Sequence, residues 1–136
     1  MSEEEVPEDV RKLLYEHVHT YEQLETLMAL QLLPQRELSL EEIATAARLT
    51  AESATEALRE LQRSGIVAVA RSGSPPGYSR TAGDLEPVLD RLVLAYEEHR
   101  LEVIKLMNAN AIERMRTGVL RAFSDAFVVG RKRGNR

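Results

Sequence analysis

Polar side chains occupy one side of the segment from residue 51 to residue 63. The opposite side is apolar at helical spacing and consists of Ala54, Ala57, Leu58 and Leu61. At about 100° per residue, Arg59 and Arg63 face outwards, flanked by Ser53 and Thr55. An arginine can contact guanine or a phosphate, and hydroxyl groups suit phosphate or base contacts. The chemistry predicted for this face is recognition of a polyanion.

Two glutamates on the same face oppose that interpretation. Glu52 and Glu56 would approach the polyanion together with the arginines. A carboxylate can accept a hydrogen bond from a cytosine amine, so Glu56 is kept among the candidate DNA contacts. The alternative is a solvated helix face on which Glu56, Arg59 and Glu60 set ordinary surface electrostatics. Both interpretations stay open at the level of sequence.

A second group of polar and basic residues surrounds a turn-rich stretch, SGSPPG, at residues 72–77. A β-prone run precedes it at 66–71, and residues 78–81 can pair back as a return strand. The candidate phosphate contacts of this predicted hairpin are Arg71, Ser72, Tyr78 and Arg80. No acidic residue follows until Asp84, which favours binding of phosphate. The alternative is an exposed hairpin whose arginines serve solubility.

The elements that position these side chains are predicted by helix-capping signals. Ser39 and Glu42 form a capping box, with Leu38 and Ile43 at the staple positions on either side. Thr50 is the N-cap of a second helix, and Gly65 suits the C′ position after it. Two capped helices so close in sequence must cross steeply, as in a helix-turn-helix. A hairpin directly after them gives the element order of a winged helix.

On these residues the chain resembles the winged helix-turn-helix transcriptional regulators of bacteria, broadly the MarR, PadR and ArsR-like families. The resemblance depends on LEEIA at Leu40–Ala44, on Ala57–Leu61 and on Gly65–Val67. It implies a mostly α fold with a small β-hairpin wing and a homodimeric regulator of transcription that binds double-stranded DNA. The recognition helix of such a protein lies in the major groove. The alternative function is a non-enzymatic winged-helix module that binds a protein partner and does not read DNA.

Two further helices are expected before the helix-turn-helix. Val10, Leu13, Leu14 and Val18 have helical spacing after Pro7, so a first helix is predicted over 8–18. Thr20 and Gln23 make a second capping box at the start of an apolar helix that ends before Pro34. The pattern leaves open whether these are two helices or one bent rod.

After the wing, Asp84 is a candidate cap for a long helix with Pro87 in its first turn. No helix breaker occurs before about residue 116, and Gly118 is a candidate kink. A heptad-like apolar seam with a neighbouring methionine is the predicted dimerisation surface: Leu85, Leu89, Leu92, Tyr96, His99, Val103, Leu106 and Met107. Another apolar face follows at Val119, Leu120, Phe123, Ala126 and Phe127. The alternative is that the helix folds back over the chain's own N-terminal helices.

These elements give four predicted regions. They are a flexible acidic N-terminus at 1–6, a winged helix-turn-helix domain at 7–82, a C-terminal helical dimerisation region at 83–128 and a basic tail at 129–136. The tail carries Arg131, Lys132 and Arg133, which could add phosphate contacts or serve solubility.

Composition excludes several classes of protein. The 136 residues include no cysteine and carry a net charge of −4, with an acidic N-terminal half and a basic C-terminal half. No apolar run is long enough for a membrane span, and the polar N-terminus is unlike a signal peptide, so a cytoplasmic protein is expected. No glycine-rich phosphate loop or hydrolase motif is present, and His17 and His19 are badly spaced for a chelate. We therefore expect no enzyme activity, no cofactor and no metal.

Overall fold

The computed structural model describes residues 6–32, 37–70, 76–81 and 83–134, with side chains at these positions except 32 and 126–134. Within them the chain forms α1 (Glu8–Glu16), α2 (Tyr21–Leu32), α3 (Leu40–Ala47), α4 (Ala51–Arg63), β1 (Val67–Ala70), β2 (Gly77–Arg80), α5 (Glu86–Glu98) and α6 (Arg100–Gly134). This is the predicted mostly α winged helix, with helices before the helix-turn-helix and a long helix at its C-terminal end. The sequence left open whether the N-terminal region is two helices or one bent rod. In the structure α1 and α2 are separate helices.

The predicted caps start three of these helices. The Ser39 hydroxyl accepts a hydrogen bond from the Glu42 amide at 3.2 Å, and the Glu42 carboxylate accepts one from the Ser39 amide at 2.9 Å. The Thr50 hydroxyl accepts from the Ser53 amide at 3.0 Å. Thr20 accepts from the Gln23 amide at 3.1 Å at the start of α2. These bonds satisfy amides that have no partner within the helix, so each start is fixed locally.

The ends of α3 and α4 have the same hydrogen-bond pattern with different residues. After α4, the Ile66 amide donates to Leu61 O at 2.9 Å and the Gly65 amide to Gln62 O at 3.0 Å, with Gly65 at φ +79°. This is the Schellman closure in which glycine is the usual residue. After α3, Arg48 takes the left-handed position, with φ 60° and ψ 43°.

The two strands form an antiparallel hairpin with Val67 opposite Arg80 and Ala70 opposite Gly77. Leu38 adds a short third segment, because its amide and carbonyl both bond to Tyr78, at 2.9 and 2.8 Å. A Cβ at Gly77 would lie 2.9 Å from the Cβ of Glu37, so this close approach favours glycine. The hairpin is thereby attached to the segment that leads into α3.

One apolar core joins the helix-turn-helix to the flanking helices. Its largest fully buried side chains come from α1 to α5 and from the chain after α4, and they include Leu14, Leu24, Leu27, Ile43, Leu58, Leu61, Ile66, Leu89 and Leu92. Val6, which the sequence assigned to the flexible N-terminus, is also buried in this core. Residues on both sides of the predicted boundary at residue 82, such as Leu58 and Leu89, belong to this same core.

The C-terminal region differs from the predicted single helix. α5 ends at Glu98, and α6 begins at Arg100; His99 between them has a φ of −135° and a ψ of 51°, which are not helical. α5 has Leu85 as its N-cap with no side-chain cap bond, so Asp84 is not the cap. α1 packs against both α5 and α6. No proline or glycine marks the break, which is why the sequence pattern missed it. Gly118 does not divide α6.

The break also changes the environment of the predicted dimerisation seam. Most of its residues are buried in this chain's own core, namely Leu89, Leu92, Tyr96, Val103 and Met107, and Leu85 and Leu106 pack partly buried against it. His99 is half-buried at the break. This burial argues against the assignment of the seam to a surface for a second copy, because α1 packs against both α5 and α6 within one chain. The burial fits the alternative, in which this region packs over the chain's own N-terminal helices.

The distal part of α6 extends beyond these contacts. Five large apolar side chains on it are exposed: Ile112, Met115, Val119, Leu120 and Phe123. Four of them, all except Phe123, line a shallow cavity of about 320 Å³ together with Arg116. We call these five residues the α6 stripe.

In the part of the chain that the structure describes, no helix is both long enough and apolar enough to cross a membrane.

Candidate nucleic-acid interface

The second helix of the helix-turn-helix, α4, presents the polar face predicted from the sequence. Ala54, Ala57, Leu58 and Leu61 are buried, and Thr55, Glu56, Arg59 and Arg63 are exposed. Ser53 is partly exposed. The Thr55 hydroxyl donates to Ala51 O at 2.7 Å, which leaves its oxygen available only as an acceptor in this rotamer. The structure therefore brings these five candidate residues onto one helix surface.

Both arginines of this face are paired with acids of the same helix. Arg59 Nη1 lies 2.8 Å from Glu56 Oε1, with 57% and 63% of the two side chains exposed. Arg63 Nη1 lies 3.2 Å from Glu60 Oε2. Exposed pairs three residues apart stabilise a helix by only a few tenths of a kcal/mol. Either arginine can therefore exchange its glutamate for a phosphate or a base edge at small cost.

One edge of α4 borders an acidic cleft. A cavity of about 390 Å³ lies between α4 and the start of α2, lined by His19, Thr20, Glu22, Gln23, Ser53, Glu56, Ala57 and Glu60. Three of these side chains are carboxylates, so this edge repels a polyanion. Thr55, Arg59 and Gln62 lie towards the other edge at about 100° per residue. The exposed amide of Gln62, which can pair with adenine, is a residue that the charge-based sequence argument missed.

Arg80 does not lie where the sequence predicted. Its side chain is only 8% exposed, and its guanidinium lies 3.0 Å from Asp90 and 3.6 Å from Glu86 on α5. It also donates to the Gln31 side chain on α2. The assignment of Arg80 to phosphate binding is therefore wrong, because two carboxylates neutralise it at the base of the hairpin. Its partners belong to elements that are distant in sequence, so no local pattern could reveal them.

The remaining hairpin candidates divide into two groups. Tyr78 is half-buried and packs against the core, so its side chain supports the hairpin more than it extends from it. Arg71 and Ser72 lie outside the described residues, and their predicted role stays a prediction. The sequence thus located the hairpin correctly, but it did not indicate that the charge of Arg80 is paired with carboxylates.

A polar cluster connects α2 to the break between α5 and α6. The Tyr96 hydroxyl donates to Glu25 of α2 at 2.5 Å, and the Arg100 guanidinium stacks 4.7 Å from the centre of the Tyr96 ring. Burial, reinforced by the hydrogen bond to Glu25, raises the pKa of the Tyr96 phenol far above its ordinary value. The phenol therefore stays protonated at physiological pH and acts as a fixed hydrogen-bond donor.

The histidines and acids give no sign of a metal site where their side chains are described. Among the residues that the structure describes, no group of three or more histidine, aspartate or glutamate side chains is arranged to hold a metal ion. His19 instead bonds through Nε2 to Tyr15 O at 3.0 Å.

Comparison with known proteins supports the fold. No family model matches the sequence, and no curated protein matches it. Among solved structures, the MarR family transcription regulator SP03579 is 18% identical, with a TM-score of 0.52 over 87% of this chain and 80% of that one. A mutant of S. aureus MepR bound to an oligodeoxyribonucleotide has the same identity and TM-score, over 87% of each chain. A second S. aureus MepR mutant matches with 18% identity and a TM-score of 0.52, over 87% of this chain and 88% of that one.

One of these structural neighbours is by name a MarR family transcription regulator, and the MarR family is one of the groups that the sequence resembles. At such low identity the likeness concerns the arrangement of the helices and the hairpin. It confirms the winged-helix fold predicted from the capping signals and the turn-rich stretch.

Proposed function

We propose that this chain is a DNA-binding regulator of transcription that acts as a homodimer. The observation that supports it most directly is the exposed polar face of α4, with two arginines held only by exposed pairs within the helix. That face lies on the second helix of a helix-turn-helix, the element that enters the major groove in DNA-binding proteins of this kind. One structural neighbour, a MepR mutant, is bound to an oligodeoxyribonucleotide, and we extend that property to this chain.

In the proposed complex the roles on α4 follow from position and chemistry. Arg59 contacts a guanine through its two donor nitrogens, and Arg63, one turn further along, contacts a phosphate. At the start of the helix Ser53 donates or accepts a hydrogen bond, and Thr55, whose hydroxyl donates to Ala51 O, accepts one. Glu56, released from Arg59, accepts from a cytosine amine. The other two carboxylates of the acidic cleft, Glu22 and Glu60, turn the duplex towards the edge that carries Thr55, Arg59 and Gln62.

The wing contributes less charge than the sequence predicted. Arg80 is neutralised, so sequence-independent phosphate contacts from the hairpin depend on Arg71 and Ser72. We propose that these two residues contact the backbone beside the groove that α4 occupies.

The α6 stripe is the proposed dimerisation surface in place of the buried seam. Its five side chains are each at least 59% exposed, and a contiguous apolar patch of this kind is typical of a protein interface. α6 has 35 residues and is about 52 Å long, so two copies can pair along their distal parts without disturbing either core. A two-fold axis through this pairing would present two α4 helices to one side of a duplex, as half-sites one helical turn apart require.

The test is fluorescence anisotropy against labelled genomic fragments, comparing the wild-type chain with Arg59→Ala. Loss of a bidentate base contact should weaken binding to the cognate fragment by about 1–3 kcal/mol and relax the preference at one base position. Arg91→Ala on α5, which removes one arginine far from α4, is the matched control and should leave the base preference unchanged. Weak binding that is equally salt-sensitive for every fragment would contradict the proposal.

A second candidate function is a winged-helix module that binds a protein and not DNA. The acidic cleft beside α4 and the net charge of −4 favour it. Heparin chromatography and nucleic-acid co-purification discriminate the two. A DNA reader should be retained on heparin and carry nucleic acid, whereas a protein-binding module should do neither.

A further inference from the structure

Arg48 has an unfavourable backbone conformation at the turn between α3 and α4. It is the non-glycine residue with a positive φ in the described part of the chain. The hydrogen bonds around it, Arg48 amide to Thr45 O at 3.2 Å and Leu49 amide to Ala44 O at 2.9 Å, repeat the closure that glycine makes after α4. A Cβ is disfavoured in this conformation, so glycine is the residue usually found at such a position.

No contact with the residues that the structure describes explains why an arginine is present at this position. The side chain is exposed and makes no hydrogen bond or ion pair to any residue that the structure describes. The two arginines of α4 differ in this respect, because Glu56 and Glu60 pair with them. Arg48 is thus an uncompensated cation in the helix-turn-helix unit between residues 37 and 70.

The position of Arg48 suggests what its charge faces. It lies two residues before Thr50, the cap that starts α4. In helix-turn-helix complexes the early part of the second helix approaches the base edges, and the chain next to it passes the phosphates that border the groove. A long basic side chain at this turn can therefore reach the DNA backbone while α4 reads the bases.

From these observations we infer that Arg48 is a phosphate-contacting residue of the interface, and that the strained backbone is retained because a side chain is needed there. Strained conformations that persist without local compensation tend to occur at functional positions. The inference depends on the proposed DNA-binding function and adds to it a contact that the sequence did not indicate.

The experiment separates charge from strain with three substitutions of the full-length chain. Arg48→Gly and Arg48→Asn remove the charge and suit the left-handed conformation, whereas Arg48→Lys keeps both charge and strain. Arg11→Gln, on the exposed side of α1, removes one charge far from the turn as the matched control. The probe is a fluorescein-labelled duplex of mixed sequence and about 30 base pairs, titrated over a series of salt concentrations.

For Arg48→Gly we expect opposite effects on stability and binding. The melting temperature should rise by about 2–4 °C, because the strain is relieved. Affinity at about 0.1 M salt should fall about five- to tenfold, and the slope of log K against log salt should fall by about 0.9 per protomer. Arg48→Asn should behave alike, and Arg48→Lys and Arg11→Gln should keep the wild-type slope.

Different results contradict different statements. If the wild-type chain does not bind the duplex, the proposed function and this inference both fail. If it binds and the slope is unchanged in Arg48→Gly and Arg48→Asn, only the inference about Arg48 fails. An equal loss of slope in Arg11→Gln would assign the effect to net charge and overturn the inference as well. A lower melting temperature for Arg48→Gly would show that the arginine stabilises the turn, which also contradicts it.

Discussion

The apolar face of α4 and the α6 stripe have similar periodicity and opposite environments. Leu58 on α4 is 1% exposed, whereas Phe123 on α6 is 69% exposed. α2 and α3 cover the first face, and no described element of the chain covers the second. The comparison teaches that a helical apolar period predicts burial but does not identify the partner. Within one chain the partner is a neighbouring helix in one case and, as we propose, a second copy in the other.

The largest effect is expected from truncation of the covered face. Leu58→Ala removes a side chain from a fully packed site, and the cavity left behind should lower the free energy of unfolding by about 2–5 kcal/mol. Urea denaturation followed by circular dichroism measures it through the shift in the midpoint. A loss below about 1 kcal/mol would mean that α4 is not packed as described.

Charges on the uncovered face should separate the copies without unfolding them. In Val119→Asp with Phe123→Asp, two carboxylates would be desolvated at the proposed interface, so we expect a dimer mass for the wild type and a monomer mass for the variant at micromolar concentration. Light scattering measures the mass, and circular dichroism checks that helix content is retained.

Thr117→Asp, on the opposite side of α6, is the control and should remain a dimer. A wild-type chain that is already monomeric, or a double variant that is still dimeric, would remove the α6 stripe as the dimer surface.

A smaller effect on stability is expected at Arg80, and it tests whether this charge stabilises the fold or binds DNA. Arg80→Ala should lower the free energy of unfolding by about 1–3 kcal/mol, because a buried guanidinium bonded to Gln31, Glu86 and Asp90 is lost while its two acids remain partly solvated. The salt slope of DNA binding should not change. Urea denaturation and salt-dependent anisotropy measure both quantities, and a lower slope with unchanged stability would return Arg80 to the DNA interface.

The smallest effect is expected from the exposed pair between α1 and α5. Hydrogen bonding to Arg91 lowers the pKa of Asp9. A carboxyl group with a lowered pKa stabilises the folded state above its unfolded pKa of about 3.9, and this contribution is lost as the pH falls through the folded pKa.

Asp9→Asn should therefore be slightly less stable than the wild type at pH 7. The difference should shrink as the pH falls through the lowered pKa of Asp9, as thermal unfolding at several acidic pH values would show. A difference that is constant with pH would exclude the ion pair as its cause.

The fold could be predicted from sequence largely because its signals are local. Ser39 with Glu42, Thr50 and Gly65 each act within a few residues, and the hairpin follows from one turn-rich stretch. The polar face of α4 could be predicted for the same reason, since its apolar face fixes the orientation of every other residue on it.

The failures concern contacts between distant elements. The acids that neutralise Arg80 lie on α5, and α1, which packs against the helices that carry Leu89 and Val103, lies near the N-terminus. The break at His99 has no breaker residue because tertiary packing sets it, and the left-handed backbone at Arg48 is visible only in the structure. For this reason, sequence periodicity assigned the dimer surface to the seam, which is buried, and not to the exposed α6 stripe that follows it.

The most direct test that α4 reads DNA is selection of bound duplexes from a random-sequence pool, carried out in parallel for the wild type and Arg59→Ala. We expect the wild type to enrich a two-fold symmetric site whose half-sites are about 10–10.5 base pairs apart, with one base position relaxed in the variant. A pool that shows no enriched sequence with the wild-type chain would contradict the proposed function.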